Sequence, residues 1–197
     1  MYIIGITGGT GAGKTSAVKA LLSLGAIAVD CDVIYHEVLS GNEDMKTEIK
    51  AQFNDISNGD EINRKKLGEI VWNNPDALKR LNEITHKYMN TEISRRISEY
   101  QENKTKIIVI DAIALIESGQ GKNCNDIVGI TAPIEKRLKR IMQRDNLTEE
   151  NAQKRIDAQQ SERFYRENCD YILENAYETE VEFETKCTEF FKELLHG

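Results

Sequence analysis

The chain has 197 residues, 40% of them hydrophobic and 30% charged, which suits a water-soluble protein with one good-sized core. Its formal net charge of −7 argues against general nucleic-acid binding. No apolar run approaches the roughly 20 residues of a membrane span, residues 1–7 lack the pattern of a signal peptide, and Cys31, Cys124, Cys169 and Cys187 show neither disulfide nor zinc spacing. The expectation is a cytoplasmic protein with reduced thiols, acting on small molecules.

Tyr2 to Thr7 is a short apolar run rich in β-branched residues and reads as a buried parallel strand. Gly8-Gly9-Thr10-Gly11-Ala12-Gly13-Lys14-Thr15 follows and fits the phosphate-loop pattern of glycine, four residues, Gly-Lys-Ser/Thr. From Ser16 to Leu24, Val18, Leu21 and Leu22 stand at helical spacing. Strand, glycine loop and helix is the context this motif requires. The glycines let the loop amides curl inward onto phosphate oxygens, and the helix start adds its positive dipole end. The candidate nucleotide contacts are Gly8, Gly9, Gly11, Ala12, Gly13, Lys14, Thr15 and Ser16. Lys14 serves the outer phosphates, and the Thr15 hydroxyl is a candidate Mg²⁺ ligand.

Ala26 to Val29 reads as a second strand ending at Asp30-Cys31-Asp32. Ligands of open parallel sheets sit beyond the carboxyl ends of strands. Asp30 is either part of the site or a cap for the next helix. Asp32 is the candidate carboxylate facing an acceptor hydroxyl. Residues 33–104 read as largely helical, with turn signals at Gly41-Asn42 and at Ser57-Asn58-Gly59-Asp60. Ile62, Leu67, Ile70, Val71 and Trp72 suggest a helix packed by its apolar face. Pro75 opens another helix, with apolar residues at Leu78, Leu81, Ile84, Tyr88, Ile93 and Ile97.

Ile107 to Ile110 is the strongest strand and ends in Asp111, as a Walker B strand does, making Asp111 a candidate metal and substrate contact. Glu117 either supports that site or is a surface acid. Ile127 to Ala132 is a further strand, and Pro133 opens a helix. Five basic residues stand against one acid between Glu135 and Arg144, among them Lys136, Arg137, Lys139, Arg140 and Arg144. A second helix begins after a turn, with Thr148 as its cap. Such a pair suits a lid that brings arginines to a transferring phosphoryl group and excludes water. Tyr171 to Leu173 is the last strand, and Glu180 to Leu195 a final amphipathic helix, acidic and solvated. No guanine-reading element occurs, since Asn103-Lys104-Thr105-Lys106 lacks its Asp.

The residues together resemble the dephospho-coenzyme A kinase family. The resemblance runs from the Ile4 to Thr15 opening through Leu24-Gly25 and Asp30-Cys31-Asp32. It continues through Asn63 to Leu67, Ile84-Thr85-His86, Asp111 to Glu117, Arg140 with Arg144-Asp145, Arg155 to Gln159, and Cys169-Asp170 to Asn175. It implies an α/β P-loop NTPase fold: a parallel sheet flanked by helices, a helical insertion and a lid. Residues 1–32, 105–140 and 168–197 would form the nucleotide core, 33–104 the acceptor domain and 141–167 the lid.

The activity implied is ATP- and Mg²⁺-dependent phosphorylation of the ribose 3′-hydroxyl of dephospho-coenzyme A by a monomer or small homo-oligomer. Asp32, Lys14 and Arg140 would be catalytic. Arg144 and Asn175 would lie near the nucleotide. Asp32, Arg64, His86 and Asp111 would face the acceptor, and Thr15, Asp32 and Asp111 the metal. The chain departs from the family at His36, usually arginine, at Lys87, usually proline, and at Ile113-Ala114, usually Pro-Leu. A kinase for another small alcohol and an ATP-binding regulator without turnover remain alternatives.

Overall fold

The computed structural model describes residues 1–59, 61–72 and 74–196. In chain order the elements are β1 (Tyr2–Gly8), α1 (Lys14–Ser23), β2 (Ile27–Asp30), α2 (Cys31–Gly41), α3 (Glu43–Gln52), β3 (Ser57–Asn58) and β4 (Glu61–Ile62). They continue with α4 (Arg64–Trp72), α5 (Pro75–Glu102), β5 (Ile107–Asp111), a 3₁₀ turn (Gln120–Asn123) and β6 (Asp126–Thr131). The last are α6 (Ile134–Asp145), α7 (Glu149–Asp157), α8 (Glu162–Asn168), β7 (Tyr171–Glu174) and α9 (Glu180–His196). The chain divides into two compact units, residues 1–29 with 101–197, and residues 30–100.

In the first unit the strand order is β2-β5-β1-β6-β7. β1 runs parallel to β5 and β6, and β6 parallel to β7. The central place of β1 explains its unbroken apolar run, because both faces are covered: Ile4 and Ile6 are buried on one face, Ile3 and Thr7 on the other. The core gathers those two with Val109, Val128, Ile130 and the facing residues of α1 and α9. The predicted α1 begins earlier than Ser16, and its buried face is Ser16, Ala17, Ala20 and Leu21, whereas Leu22 is exposed. The inner stripe of α9 is Phe183, Cys187 and Phe191, four residues apart, so the acidic helix is solvated on one side only.

Among the described residues, the regular elements of the second unit are helices and the short antiparallel pair β3–β4. Two-residue strands leave no periodicity to read, so the pair was not predicted. Asp60 of the expected turn lies outside the described residues. α5 buries Ala77, Leu81, Ile84, Thr85, Met89 and Ile93 along one stripe, as predicted for Leu81, Ile84 and Ile93 but not for Leu78, which is exposed. The expected apolar face of α4 shrinks to Leu67, and Trp72 is 81% exposed. Ile70, Val71 and Trp72 are consecutive, so they fan around a helix and cannot share a face. Lys46, only 3% exposed, ties α3 to β4 by donating to Glu43 and Glu61, each at 3.0 Å. Lys87 and Tyr88 of α5 both donate to Glu48 of α3, at 3.0 and 2.8 Å.

Candidate active site

β1 delivers the glycine loop to the start of α1. Gly13 stands at the N-cap with φ 107°, and no side chain caps the first turn. A Cβ at Gly13 would lie 2.3 Å from Asn175 Nδ2, so this position needs glycine for both conformation and space. The helix therefore opens with main-chain amides and no competing side-chain oxygen, the arrangement that suits an anion.

The outer side of the loop is held by three consecutive carbonyl contacts. Thr10 O accepts from Arg137 Nε at 3.0 Å, Gly11 O from Arg140 Nη1 at 3.2 Å, and Ala12 O from Asn175 Nδ2 at 2.9 Å. In a trans peptide the next residue's N–H points opposite the carbonyl. Anchoring these oxygens outward thus turns the amides of Gly11 and Gly13 the other way, while that of Ala12 closes on Gly9 O at 3.1 Å. Asn175 is 4% exposed, and its Oδ1 accepts from Arg140 Nη2 at 3.2 Å. Burial lowers the pKa of the Arg137 and Arg140 guanidinium groups from its ordinary value.

The helices after β6 form a hairpin. Ile141 of α6 and Ala152 and Ile156 of α7 pack with Leu138, Met142 and Leu147. Thr148 caps α7 by accepting from Asn151 N, as expected. Arg144 is turned to Asp145, with Nε–Oδ1 2.8 Å and Nη2–Oδ2 2.9 Å, and Arg155 pairs with the same carboxylate. Arg140 therefore touches the loop, whereas Arg144 contacts Asp145 inside the hairpin. Two loop contacts went unnoticed in the sequence: Arg137, hidden among equivalent-looking basic residues, and Gln159, which had only its place in family order.

Asp111 is half-buried at the end of β5, and its register partner on β1 is Ile6, just ahead of the loop. Thr7 Oγ1 donates to Ile113 O at 2.9 Å, so the Ile113-Ala114 departure keeps a main-chain contact. Thr15 is exposed and Ser16 buried in the first turn of α1. Glu117 is exposed.

In the second unit Asp30 proves to be a cap. Its Oδ1 accepts from the amides of Asp32 and Val33 at 2.9 and 3.1 Å. Asp32 stands exposed in the first turn of α2. Arg64 donates to Nδ1 of His36 at 3.1 Å, which requires the ring to keep that nitrogen unprotonated. The His36 departure and the expected acceptor contact Arg64 are thus one pair. His86 is half-buried on α5.

A family model described as dephospho-CoA kinase matches residues 2–180. The chain belongs to the dephospho-CoA kinase family. It is 41% identical over 161 residues to a dephospho-CoA kinase of Dehalococcoides mccartyi, covering 81% of each chain. It is 33% identical over 195 residues to that of Lactobacillus johnsonii, covering 98% of each. Among solved structures, a dephospho-CoA kinase from Campylobacter jejuni superposes with a TM-score of 0.70 at 28% identity, covering 98% of this chain and 96% of that one. The family's kinases use ATP, and the fold is that of the P-loop kinases.

Proposed function

We propose that the protein transfers the γ-phosphoryl group of ATP to the ribose 3′-hydroxyl of dephospho-coenzyme A, releasing ADP and coenzyme A. The observation that carries this reading is the uncapped, carbonyl-anchored loop Gly8–Ser16 in a chain of this family. The amides of Gly9, Gly11, Gly13 and the start of α1, with Lys14, hold the donor phosphates. Arg140 and Arg144 serve the ATP side, and Asn175 keeps the loop shaped beside the nucleotide. Asp32 accepts the hydroxyl proton, or aims that proton, as the acceptor oxygen bonds to phosphorus and the bond to the ADP oxygen breaks. Arg64 and His86, in the helical unit of residues 30–100, hold the acceptor.

Mg²⁺ favours hard oxygen donors and keeps several waters or phosphate oxygens of its own. The donors here fit that chemistry: the exposed Thr15 hydroxyl and the Asp111 carboxylate at the end of β5, with Asp32 as a further candidate. Bound with ATP, the ion would neutralise charge on the outer phosphates. No helix among the described residues is long and apolar enough to cross a membrane. We place the protein in the cytoplasm, as a monomer or small homo-oligomer, with residues 141–167 acting as a lid.

The test is a coupled ADP-release assay with dephospho-coenzyme A, adenosine and gluconate as acceptors. Strong preference for dephospho-coenzyme A is expected. Equal or greater turnover with either comparison acceptor would overturn the assignment.

A further inference from the structure

Every polar group of Thr10 is engaged from the hairpin side. Its N–H donates to Gln159 Oε1 at 2.8 Å, its hydroxyl accepts from Gln159 Nε2 at 2.6 Å, and its carbonyl accepts from Arg137 Nε at 3.0 Å. Arg137 Nη2 donates to the same Gln159 Oε1 at 2.9 Å. One carboxamide oxygen is therefore held by a main-chain amide of the glycine loop and by a guanidinium N–H. That is the donor pair a phosphoryl oxygen takes. The approach is close: a Cβ at Gly9 would lie 2.4 Å from Arg137 Nη2.

A second observation points to a ligand at the same place. Gly9, Ala12, Thr131, Arg137, Gln159 and Tyr165 border a cavity of about 310 Å³. Thr131 is 5% exposed, and its hydroxyl oxygen has no hydrogen-bond partner among the described residues. A buried hydroxyl without a partner is costly unless something polar enters beside it.

Thr10 lies at the end of the loop away from α1. The outermost phosphate of a triphosphate carries the most charge, and the convergence of the Thr10 amide with the Arg137 guanidinium suits that one. We propose that Gln159 is an internal substitute for the nucleotide's outermost phosphate: it occupies the Thr10 amide and Arg137 until a phosphoryl oxygen displaces it. This rests on the reading of the loop as the nucleotide site. A carboxamide oxygen carries only a partial charge, so its replacement by a phosphoryl oxygen turns the Thr10 amide bond into a charge-assisted one and the Arg137 bond into an ion pair. A diphosphate that does not reach Thr10 leaves Gln159 in place. The exchange thereby couples the hairpin that carries Gln159 to the presence of the third phosphate.

The experiment is calorimetric titration of the full chain with ADP and with a non-hydrolysable ATP analogue, for wild type, Gln159→Ala and Gln159→Glu. Gln159→Ala removes the competitor and is expected to tighten the triphosphate analogue by about fivefold, the factor carried by roughly one net hydrogen bond. ADP affinity should stay within about twofold. Gln159→Glu places a carboxylate against the arriving phosphate and should weaken the analogue about tenfold or more, again sparing ADP. If Gln159→Ala weakens the analogue, or shifts ADP and analogue alike, Gln159 merely braces the loop and the proposal is overturned. If wild type binds neither nucleotide, the reading of the loop itself has failed. ADP binding by every variant with an unchanged analogue-to-ADP ratio overturns the substitution alone.

Discussion

Asp30 and Asp32 share a turn of chain in different surroundings, Asp30 accepting two amides and Asp32 standing exposed. The sequence left Asp30 open between site and cap, since both uses want a carboxylate at that spacing. The structure decides for the cap through two amide contacts. Asp30→Ala should therefore cost about 1 kcal/mol of stability, seen as a lower melting temperature. Asp32→Asn should leave the melt unchanged and lower kcat about 10²-fold or more, the scale of losing a general base. Turnover within a few-fold of wild type would remove Asp32 from that role. Asn175→Ala should loosen ADP and ATP alike, because it frees the Ala12 carbonyl and one Arg140 contact and so relaxes the loop as a whole. Loss of affinity for only one of the two nucleotides would contradict that. The glycines, Lys14 and Thr15 were legible because one motif fixes their geometry. Arg137 and Gln159 were not, because their partners are carbonyls and amides far along the chain.

At the scale of elements, the strands were read well and some helix faces poorly. β1 and β5 announce themselves by continuous apolar runs, which follow from burial on both faces. α4 misled because its apolar residues cluster in sequence and scatter in space. α9 is amphipathic as expected, and Phe183 of its inner stripe is fully buried against α1, so Phe183→Ala should cost about 3–5 kcal/mol in denaturant unfolding. α5 carries a charged cluster: Glu92 takes Arg95 and Arg96, and Arg96 also reaches Glu37 of α2. Hydrogen bonds from Arg95, then from Arg96, hold the Glu92 carboxyl down at about 2, from an ordinary 4.5. A depressed carboxyl stabilises the fold above its unfolded value, and this contribution fades as pH falls from about 4.5 to about 2. Glu92→Gln should thus cost about 1 kcal/mol or less at pH 7, with the difference from wild type vanishing near pH 2. A difference that persists undiminished at that pH would contradict the assignment.

For the molecule as a whole, Cys124, Cys169 and Cys187 carry free thiols. Burial pushes the thiols of Cys124 and Cys187 up to about 12 and that of Cys169 to about 11. Few thiolates form at neutral pH, so alkylation of these three should be slow in the native protein and fast after unfolding. The central parallel sheet flanked by helices was readable because each stretch's period matches its role. The two-unit division follows the insertion at Asp30–Tyr100, and the functional pairing of those units is a matter for chemistry. The direct test of that chemistry is ³¹P NMR of the product formed from ATP, Mg²⁺, dephospho-coenzyme A and the protein. A new phosphomonoester resonance coupled to the ribose 3′ proton, appearing in step with ADP, is the expected result. ADP with free inorganic phosphate, or a phosphoester at any other position, would contradict the account.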